Sequence, residues 1–143
     1  MSADFRTLLS KSTDAIERPK PLPQGTYYGT ISRHEFGESS NKRTPYVRFH
    51  LQLTGPSDDI DPDMMEGIDC TKKSLRKDFY LTEDALYRLK DFMESLGVET
   101  AGRSLGEVIP ETTGMPVMIS VTQRNSQDGK EIYNDVGDVV AQS

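Results

Sequence analysis

The chain lacks most of the residues that crosslink a fold or bind a soft metal. Among its 143 residues there is one cysteine, Cys70, and no tryptophan. A single thiol excludes an internal disulfide and any thiolate-rich zinc site. The sequence also has no glycine-rich loop of the kind that cradles phosphates, so nothing in it indicates a nucleotide-hydrolysing enzyme. We therefore expect no cofactor and no metal site.

Apolar residues are also scarce, at 34% of the chain, and no run of them approaches the length of a membrane span. The N-terminal residues MSADFRTLLSKS lack the long apolar core of a signal peptide. A chain of this length and composition can form one domain around one modest core. We expect that domain to be cytoplasmic and to have no membrane partner.

Basic residues are outnumbered, with 17 Lys and Arg against 23 Asp and Glu, but the excess of acid is local. Residues 55–69 contain no Lys or Arg and carry six acids: Asp58, Asp59, Asp61, Asp63, Glu66 and Asp69. That number equals the size of the net charge, −6, so the rest of the chain is neutral overall. Because screening at physiological salt limits the reach of charge to about 8 Å, a neutral body can carry a basic face.

The stretch TPYVRFHLQL, residues 44–53, is the most informative part of the sequence. Its alternation predicts a strand whose apolar face consists of Val47, Phe49, Leu51 and Leu53. The opposite face carries Tyr46, Arg48, His50 and Gln52. An aromatic ring with cations beside it suits a single-stranded nucleic acid, whose bases expose π-faces and whose backbone is anionic. The alternative is a solvated strand face that happens to be basic.

Four further strands are predicted at residues 25–36, 74–81, 115–124 and 131–140. In the first of these, Gly29 marks a bend or bulge. Its inward residues are Tyr27 and Ile31, and its outward residues are Tyr28, Thr30, Ser32 and His34. In the strand at 74–81 the outward residues are Arg76, Asp78 and Tyr80, and Lys77 has the inward parity, which places its amine near a barrel mouth.

One helix is predicted over residues 83–96, with Thr82 as its N-cap and Gly97 as its stop signal. Its apolar stripe consists of Leu86, Leu89, Phe92, Met93 and Leu96. Three strands, one helix and two strands (β-β-β-α-β-β) is the order of the five-stranded OB-type barrel. We therefore expect an all-β domain with one helix over residues 25–140. Residues 1–24 are expected to form an N-terminal arm that ends in a Pro-rich linker.

Oligonucleotides usually bind OB-type barrels on the face of strands two and three, together with the first and last hairpin loops. In this chain the same elements carry tyrosines and cations. The candidate nucleic-acid-binding residues are Tyr46, Arg48, His50, Arg76, Tyr80, Lys42, Arg43, Arg124 and Lys130, with Tyr28 and Tyr133 as further stacking residues. Asp128-Gly129, between the last two strands, is a strong signal for a hairpin turn.

Four segments carry a resemblance to a known family: LPQGTYYGTI, KSLRKDFYLTEDALYRLKDFMESLGV, GMPVMISVTQR and EIYNDVGDVV. Over residues 22–140 the chain resembles phage-encoded single-stranded DNA-binding proteins. The resemblance implies an OB-fold that coats single-stranded DNA during phage replication or recombination, in the host cytoplasm. Many single-strand binding proteins end in an acidic tail that recruits partners, whereas this chain ends VGDVVAQS.

Catalytic interpretations are weaker. The acids of residues 55–69 miss the spacing of a calcium loop, which needs glycine at its sixth position and glutamate at its twelfth. Cys70 has no neighbouring base in the sequence, and His34 and His50, which could meet across two strands, lack further metal ligands. We therefore expect a protein that is not an enzyme. The main alternative to nucleic-acid binding is a protein-interaction module or virion component on the same barrel.

Several points stay open at the level of sequence. The acidic segment 55–69 is a solvated insertion, a recruitment site for basic replication or recombination proteins, or a competitor that folds over Arg48 and Arg76 when nucleic acid is absent. The arm at residues 1–24 is a candidate means of linking subunits into a homo-oligomer. The residues do not distinguish DNA from RNA as the ligand.

Overall fold

The computed structural model describes Leu9 and residues 20–142. Most of the predicted arm, residues 1–24, therefore lies outside the described residues. The described part contains five antiparallel strands in one sheet: β1 (Gly25–Glu38), β2 (Pro45–Pro56), β3 (Ser74–Tyr80), β4 (Pro116–Asn125) and β5 (Ile132–Ala141). Two short helices, α1 (Leu86–Ser95) and α2 (Leu105–Val108), lie between β3 and β4. The mostly-β prediction is confirmed, but the predicted order with a single helix is wrong because α2 follows α1.

The strand order in the sheet is β3-β2-β1-β4-β5, so the long strand β1 pairs with both β2 and β4. This order leaves β3 and β5 at the two edges. Lys77 of β3 bridges these edges, because its Nζ donates a hydrogen bond to the carbonyl oxygen of Gly137 in β5, at 3.1 Å. The Lys77 amine, predicted to lie near a barrel mouth, is thus part-buried and bonded to a strand backbone.

Two irregularities in the pairing of β1 with β2 decide which side chains share a face. The first lies at Gly29, where a bend or bulge was predicted, but its extra residue is Thr54 of β2, because Tyr28 pairs with Gly55 and Gly29 pairs with Leu53. A Cβ at residue 29 would lie 2.6 Å from the carbonyl oxygen of Gln52, so only glycine allows this close approach. A second shift, between Ile31 and Arg33, was not predicted.

The second shift reverses the parity of the rest of β1. Arg33 pairs with His50, whereas His34 pairs with Phe49. Because directly paired residues share a face, Arg33 lies on the His50 side of the sheet and His34 on the Phe49 side. The prediction that His34 faces outward and meets His50 is therefore wrong: the extra residue, Ser32, exchanges the two faces.

The core forms where the inward side of the sheet meets α1. The four apolar positions predicted for β2 are all buried: Val47, Phe49, Leu51 and Leu53. Phe92 of α1 packs against Phe49 and Phe79, with ring centroids 5.0 and 4.8 Å apart. Leu89 and Met93 of the same helix are fully buried, so the predicted apolar stripe is the surface that α1 packs on the sheet.

The start of α1 differs from the prediction, whereas its end agrees with it. The helix begins at Leu86, after the N-cap Ala85, which makes no side-chain capping hydrogen bond. Thr82 is therefore not the N-cap; its carbonyl instead accepts the N–H groups of residues 85 and 86 in a preceding turn. The stop at Gly97 is confirmed, because Gly97 has φ +82° and the N–H of Val98 reaches the carbonyl of Met93 in a Schellman-type end.

Residues 22–24 pack on the sheet rather than leading away from it. Leu22 is fully buried in the core. Its N–H donates to the side-chain oxygen of Asn134 at 2.8 Å, and its carbonyl accepts the Asn134 amide at 2.9 Å. The carbonyl also accepts the side-chain amide of Gln123, at 2.8 Å. These bonds attach the segment before β1 to both β4 and β5.

The acidic segment 55–69 folds into short turns, and three of its acids make local hydrogen bonds. Asp59 accepts the N–H of Thr26, and Asp61 and Asp69 cap the 3₁₀ turns Pro62–Met65 and Cys70–Lys72. Hydrogen bonds from Ser57 and Thr26 lower the pKa of Asp59 below its usual value. Ile60, from the same segment, is buried in the core. This part of the chain is therefore packed on the domain.

A buried tyrosine makes the stability of the fold sensitive to alkaline pH. Tyr27 is fully buried, donates its hydroxyl to the carbonyl of Pro23 at 2.7 Å, and has its pKa raised to about 12 by burial. The unfolded chain ionises this phenol near pH 10, so its contribution to the free energy of unfolding is complete below about pH 10 and falls as the pH approaches 12. We expect Tyr27→Phe to lower stability at neutral pH by about 1–3 kcal/mol, because the Pro23 carbonyl loses its donor. The same change should flatten the loss of stability between pH 10 and 12, measured by urea unfolding.

Candidate nucleic-acid interface

Residues from all five strands line one cleft of about 590 Å³, which we call the five-strand cleft. Its lining consists of Arg33, His50, Ser74, Leu75, Arg76, Arg124, Tyr133, Asn134, Asp135 and Val136. Four predicted site residues, one from each of β2 to β5, therefore meet in one place: His50, Arg76, Arg124 and Tyr133. Three arginines and a histidine face a single carboxylate in this lining, so the cleft is basic although the chain is acidic.

Arg33 belongs to this cleft and was not predicted from the sequence. Straight alternation through β1 places it on the core side. The register shift between Ile31 and Arg33 places it beside His50 instead. Straight alternation would turn both Arg33 and Glu35 toward the core, which does not accommodate two charged side chains. The run Arg33-His34-Glu35 could therefore have indicated a reversal of parity in β1.

The outward face of β2 and β3, which we call the β2–β3 face, carries the predicted rings. Tyr46 and Tyr80 are directly paired across the two strands, and Tyr80 is 55% exposed. The Tyr46 ring extends over β1 at Gly37, where a Cβ would lie 2.6 Å from the Tyr46 hydroxyl oxygen. The Tyr46 ring therefore occupies space that a side chain at position 37 would fill, and glycine keeps this space open. The guanidinium carbon of Arg48 lies 5.1 Å from the centre of the same ring.

Carboxylates hold three of the predicted basic residues. Arg48 forms two hydrogen bonds with Asp78, at 2.9 and 3.0 Å. Arg124 bonds Asp135 at 2.9 Å. His50 Nε2 lies 2.6 Å from Glu35, and this hydrogen bond lowers the pKa of the Glu35 carboxyl.

Arg76 differs from these cations. It is exposed, and within residues 20–142 no hydrogen bond or ion pair holds its guanidinium. It is thus the arginine of the cleft that an anion reaches without displacing a carboxylate. The acidic segment 55–69 makes no hydrogen bond or ion pair with Arg48 or Arg76 among the described residues, so the competitor for Arg48 in this conformation is Asp78.

A second cavity, of about 580 Å³, lies between the β1–β2 turn and the end of β3, and we call it the turn cavity. It brings the predicted residues Lys42 and Tyr80 together. The remaining lining residues are small and polar for the most part: Ser39, Ser40, Asn41, Thr44, Thr82 and Ala85. Arg43, in the same turn, is exposed and has φ +51°. The β1–β2 turn therefore supplies cations at the opposite end of the β2–β3 face from the five-strand cleft.

The remaining predicted residues lie further out. Lys130 is in the β4–β5 turn, where its N–H donates to Asp128 and Gly129 has φ +71°, as predicted for a hairpin turn at Asp128-Gly129. Tyr28 pairs with Gly55 of β2 and Met118 of β4. Gly55 is nine residues from Tyr46 along β2, about 30 Å, so Tyr28 lies far from the paired rings of Tyr46 and Tyr80.

No family model matches this chain, and no curated protein matches it either. Within the described part of the chain, no group of three or more His, Cys, Asp or Glu side chains is placed to hold a metal ion. None of the helices in that part is long and apolar enough to cross a membrane. The case for a function therefore rests on the side chains of the cleft and of the β2–β3 face.

Proposed function

We propose that this protein binds single-stranded DNA in a sequence-tolerant way, along the five-strand cleft and the β2–β3 face. The observation that carries the proposal is the meeting of Arg33, His50, Arg76 and Arg124, from four different strands, beside the ring of Tyr133. Cations contributed by one strand are common on solvated surfaces. Three arginines and a histidine from four strands that line one cleft together with an aromatic ring form a combination that suits an anionic chain with exposed bases.

The chemistry of the interface favours stacking and phosphate contacts over base reading. Tyr46, Tyr80 and Tyr133 offer rings, and a base stacked on one such ring contributes about 1–3 kcal/mol. Specific base contacts often use side-chain amides in bidentate pairs. The amide that lines the cleft, Asn134, is already bonded to the N–H and carbonyl of Leu22. Tolerance of sequence is the expected consequence.

An OB-type barrel is part of the proposal. The strand order β3-β2-β1-β4-β5 closes into such a barrel when its edges, β3 and β5, meet. Support comes from the Lys77–Gly137 hydrogen bond between those edges and from the two bulges in the pairing of β1 with β2, which supply curvature that a small barrel needs. In that fold the β2–β3 face and the two hairpin turns are the usual oligonucleotide site.

The biological setting is proposed from the resemblance to phage single-stranded DNA-binding proteins. It consists of DNA replication or recombination in the cytoplasm of a host cell, without catalysis by this chain. The acidic segment 55–69 is a candidate surface for basic partner proteins, because Asp58 and Asp63 are exposed and their carboxylates make no hydrogen bond within residues 20–142. Linkage of subunits through residues 1–24 belongs to the same proposal.

A protein-interaction module is the second candidate, and one observation favours it. The guanidinium groups of Arg48 and Arg124 and the imidazole of His50 are paired with carboxylates, and exposed tyrosine and arginine are what protein interfaces prefer. A face of paired charges suits another protein better than it suits a dense row of phosphates. The two candidates differ in their response to salt and to the form of the nucleic acid.

Fluorescence anisotropy with labelled oligonucleotides distinguishes them. We expect the full chain to bind oligo-dT and a mixed-sequence single strand with similar affinity, and a duplex of equal length more weakly. The single-strand affinity should fall linearly with salt on a log–log plot, with a slope of about −0.7 for each phosphate contact. Equal binding to duplex and single strand would contradict stacking, and absence of binding at low salt would leave the protein-interaction candidate.

A further inference from the structure

The same three-residue arrangement occurs twice on this surface. In the first triad, the guanidinium carbon of Arg48 lies 5.1 Å from the centre of the Tyr46 ring, and its Nε lies 2.9 Å from Asp78. In the second, the guanidinium carbon of Arg124 lies 5.1 Å from the centre of the Tyr133 ring, and its Nε lies 2.9 Å from Asp135. The two distances agree between the triads.

The triads reach this geometry by different routes along the chain. In the first, the tyrosine and arginine are two residues apart on β2, and the aspartate is the direct cross-strand partner of the arginine on β3. In the second, the arginine is on β4 and is directly paired with the tyrosine, while the aspartate lies two residues further along β5. Because the connectivity differs, the repeat does not follow from a local sequence pattern. It is a recurrence of side-chain geometry.

Each arginine is held by its carboxylate. Asp135 accepts from Nε of Arg124, and Asp78 accepts from Nε and from Nη2 of Arg48, so one edge of the Arg48 guanidinium is engaged and its position over the ring is held. The other edge, with Nη1, stays available. A guanidinium held over a tyrosine ring covers one face of that ring and offers its own outer face to a base, since bases stack on guanidinium planes as well as on rings.

We infer that the two triads are matched base-stacking subsites for unpaired nucleobases, and that Asp78 and Asp135 are positioning residues that select single strands over duplexes. This inference rests on the proposed function. Each carboxylate neutralises its arginine, which weakens an attraction to phosphate that single strands and duplexes share. The stacking surface is retained, and only a strand with unstacked bases can use it. The pairing of charges therefore shifts recognition from the backbone to the bases.

The test compares three single substitutions that each remove one negative charge. Asp78→Asn and Asp135→Asn remove the carboxylates of the triads. Asp58→Asn is the matched control, because Asp58 is exposed and its carboxylate makes no hydrogen bond or ion pair within residues 20–142. Dissociation constants are measured for full-length protein with oligo-dT and with a DNA hairpin of similar length, at one salt concentration. Circular dichroism confirms that each variant is folded at the assay temperature.

We expect both triad variants to bind the hairpin more tightly than the wild type does, because removal of the carboxylate leaves the positive charge of the triad arginine unpaired. The ratio of single-strand to hairpin affinity should fall about tenfold, the order of one stacking contact, while Asp58→Asn leaves the ratio unchanged. Asp78→Glu, which keeps the charge, should recover most of the ratio.

Two contrary outcomes are distinguishable. If the wild type binds oligo-dT but all three Asn variants leave the ratio unchanged, Asp78 and Asp135 are ordinary surface acids and the inference fails alone. If the wild type binds neither nucleic acid, the proposed function fails and the inference fails with it.

Discussion

Replacing Arg33, Arg76 and Arg124 together with alanine should lower the affinity for single-stranded DNA by about 100-fold or more at physiological salt. Hydrogen bonds to charged groups contribute about 1.5–3 kcal/mol each, so the loss of the phosphate contacts of Arg33 and Arg76, together with the Arg124 stacking surface, reaches that factor. The slope of log affinity against log salt should become shallower by about 1.4, because each of the two phosphate contacts with a single strand contributes about −0.7. Anisotropy titrations at four or five salt concentrations measure both quantities.

A matched triple variant separates the cleft from general charge. Lys72, Arg88 and Lys90 are exposed cations on the turn before β3 and on α1, outside the five-strand cleft. Their replacement by alanine changes the net charge by the same amount. We expect this control to reduce affinity by a few-fold at most and to leave the salt slope close to that of the wild type. Equal effects of the two triple variants would show that the cleft is not where phosphates bind.

Leu89→Ala should lower the stability of the fold strongly. Leu89 is fully buried, on the stripe by which α1 packs against the sheet. Removing three carbon atoms from such a site costs about 2–5 kcal/mol, measured by urea or thermal unfolding. Tyr87→Ala, on the same helix but 56% exposed, is the control and should change the free energy of unfolding far less.

The same variant tests whether α1 is purely structural. At a temperature where Leu89→Ala is folded, its affinity for oligo-dT should equal that of the wild type, because the helix packs on the inward side of the sheet. A folded Leu89→Ala protein that has lost binding would move the site from the cleft to the helix.

The strands could be predicted because alternation is a local property. Val47, Phe49, Leu51 and Leu53 are buried as predicted, because a strand with one apolar face has a single way to bury it. The end of α1 could be predicted for a similar reason, since Gly97 takes a positive φ that other residues rarely adopt. The start of α1 could not, because no side chain caps it.

The parts of the site that sequence did not reveal all depend on register between strands. Arg33 joins the cleft only because β1 has one extra residue at Ser32, and neither Ser32 nor its neighbours carry a bulge signal such as glycine. The carboxylate partners were missed for the same reason. Alternation places Asp78 on the outward face of β3. Its bond to Arg48 depends on the register between β2 and β3, in which these two residues are directly paired.

The acidic segment shows a different limit of sequence reasoning. Six acids without a base predict solvated or repelling charge, because composition reports charge and not hydrogen bonding. In the structure Asp61 and Asp69 accept the N–H groups of nearby turns, Asp59 accepts the N–H of Thr26 in β1, and Ile60 anchors the segment in the core. The two-residue spacing from Asp61 and Asp69 to the N–H groups that they cap follows the usual pattern of Asx turns, which identifies such residues only once the turns are known.

Photo-crosslinking tests most directly the central claim that a single strand follows the five-strand cleft and the β2–β3 face. Oligo-dT carrying 5-iodouracil, irradiated with the full chain and mapped by mass spectrometry, reports which aromatic rings stack on bases. Tyr87, exposed on α1, serves as an internal control within the same molecule. The account predicts crosslinks at Tyr46, Tyr80 and Tyr133, and none above background at Tyr87. Crosslinks concentrated at Tyr87, or their absence from all three predicted rings at saturating oligonucleotide, would contradict it.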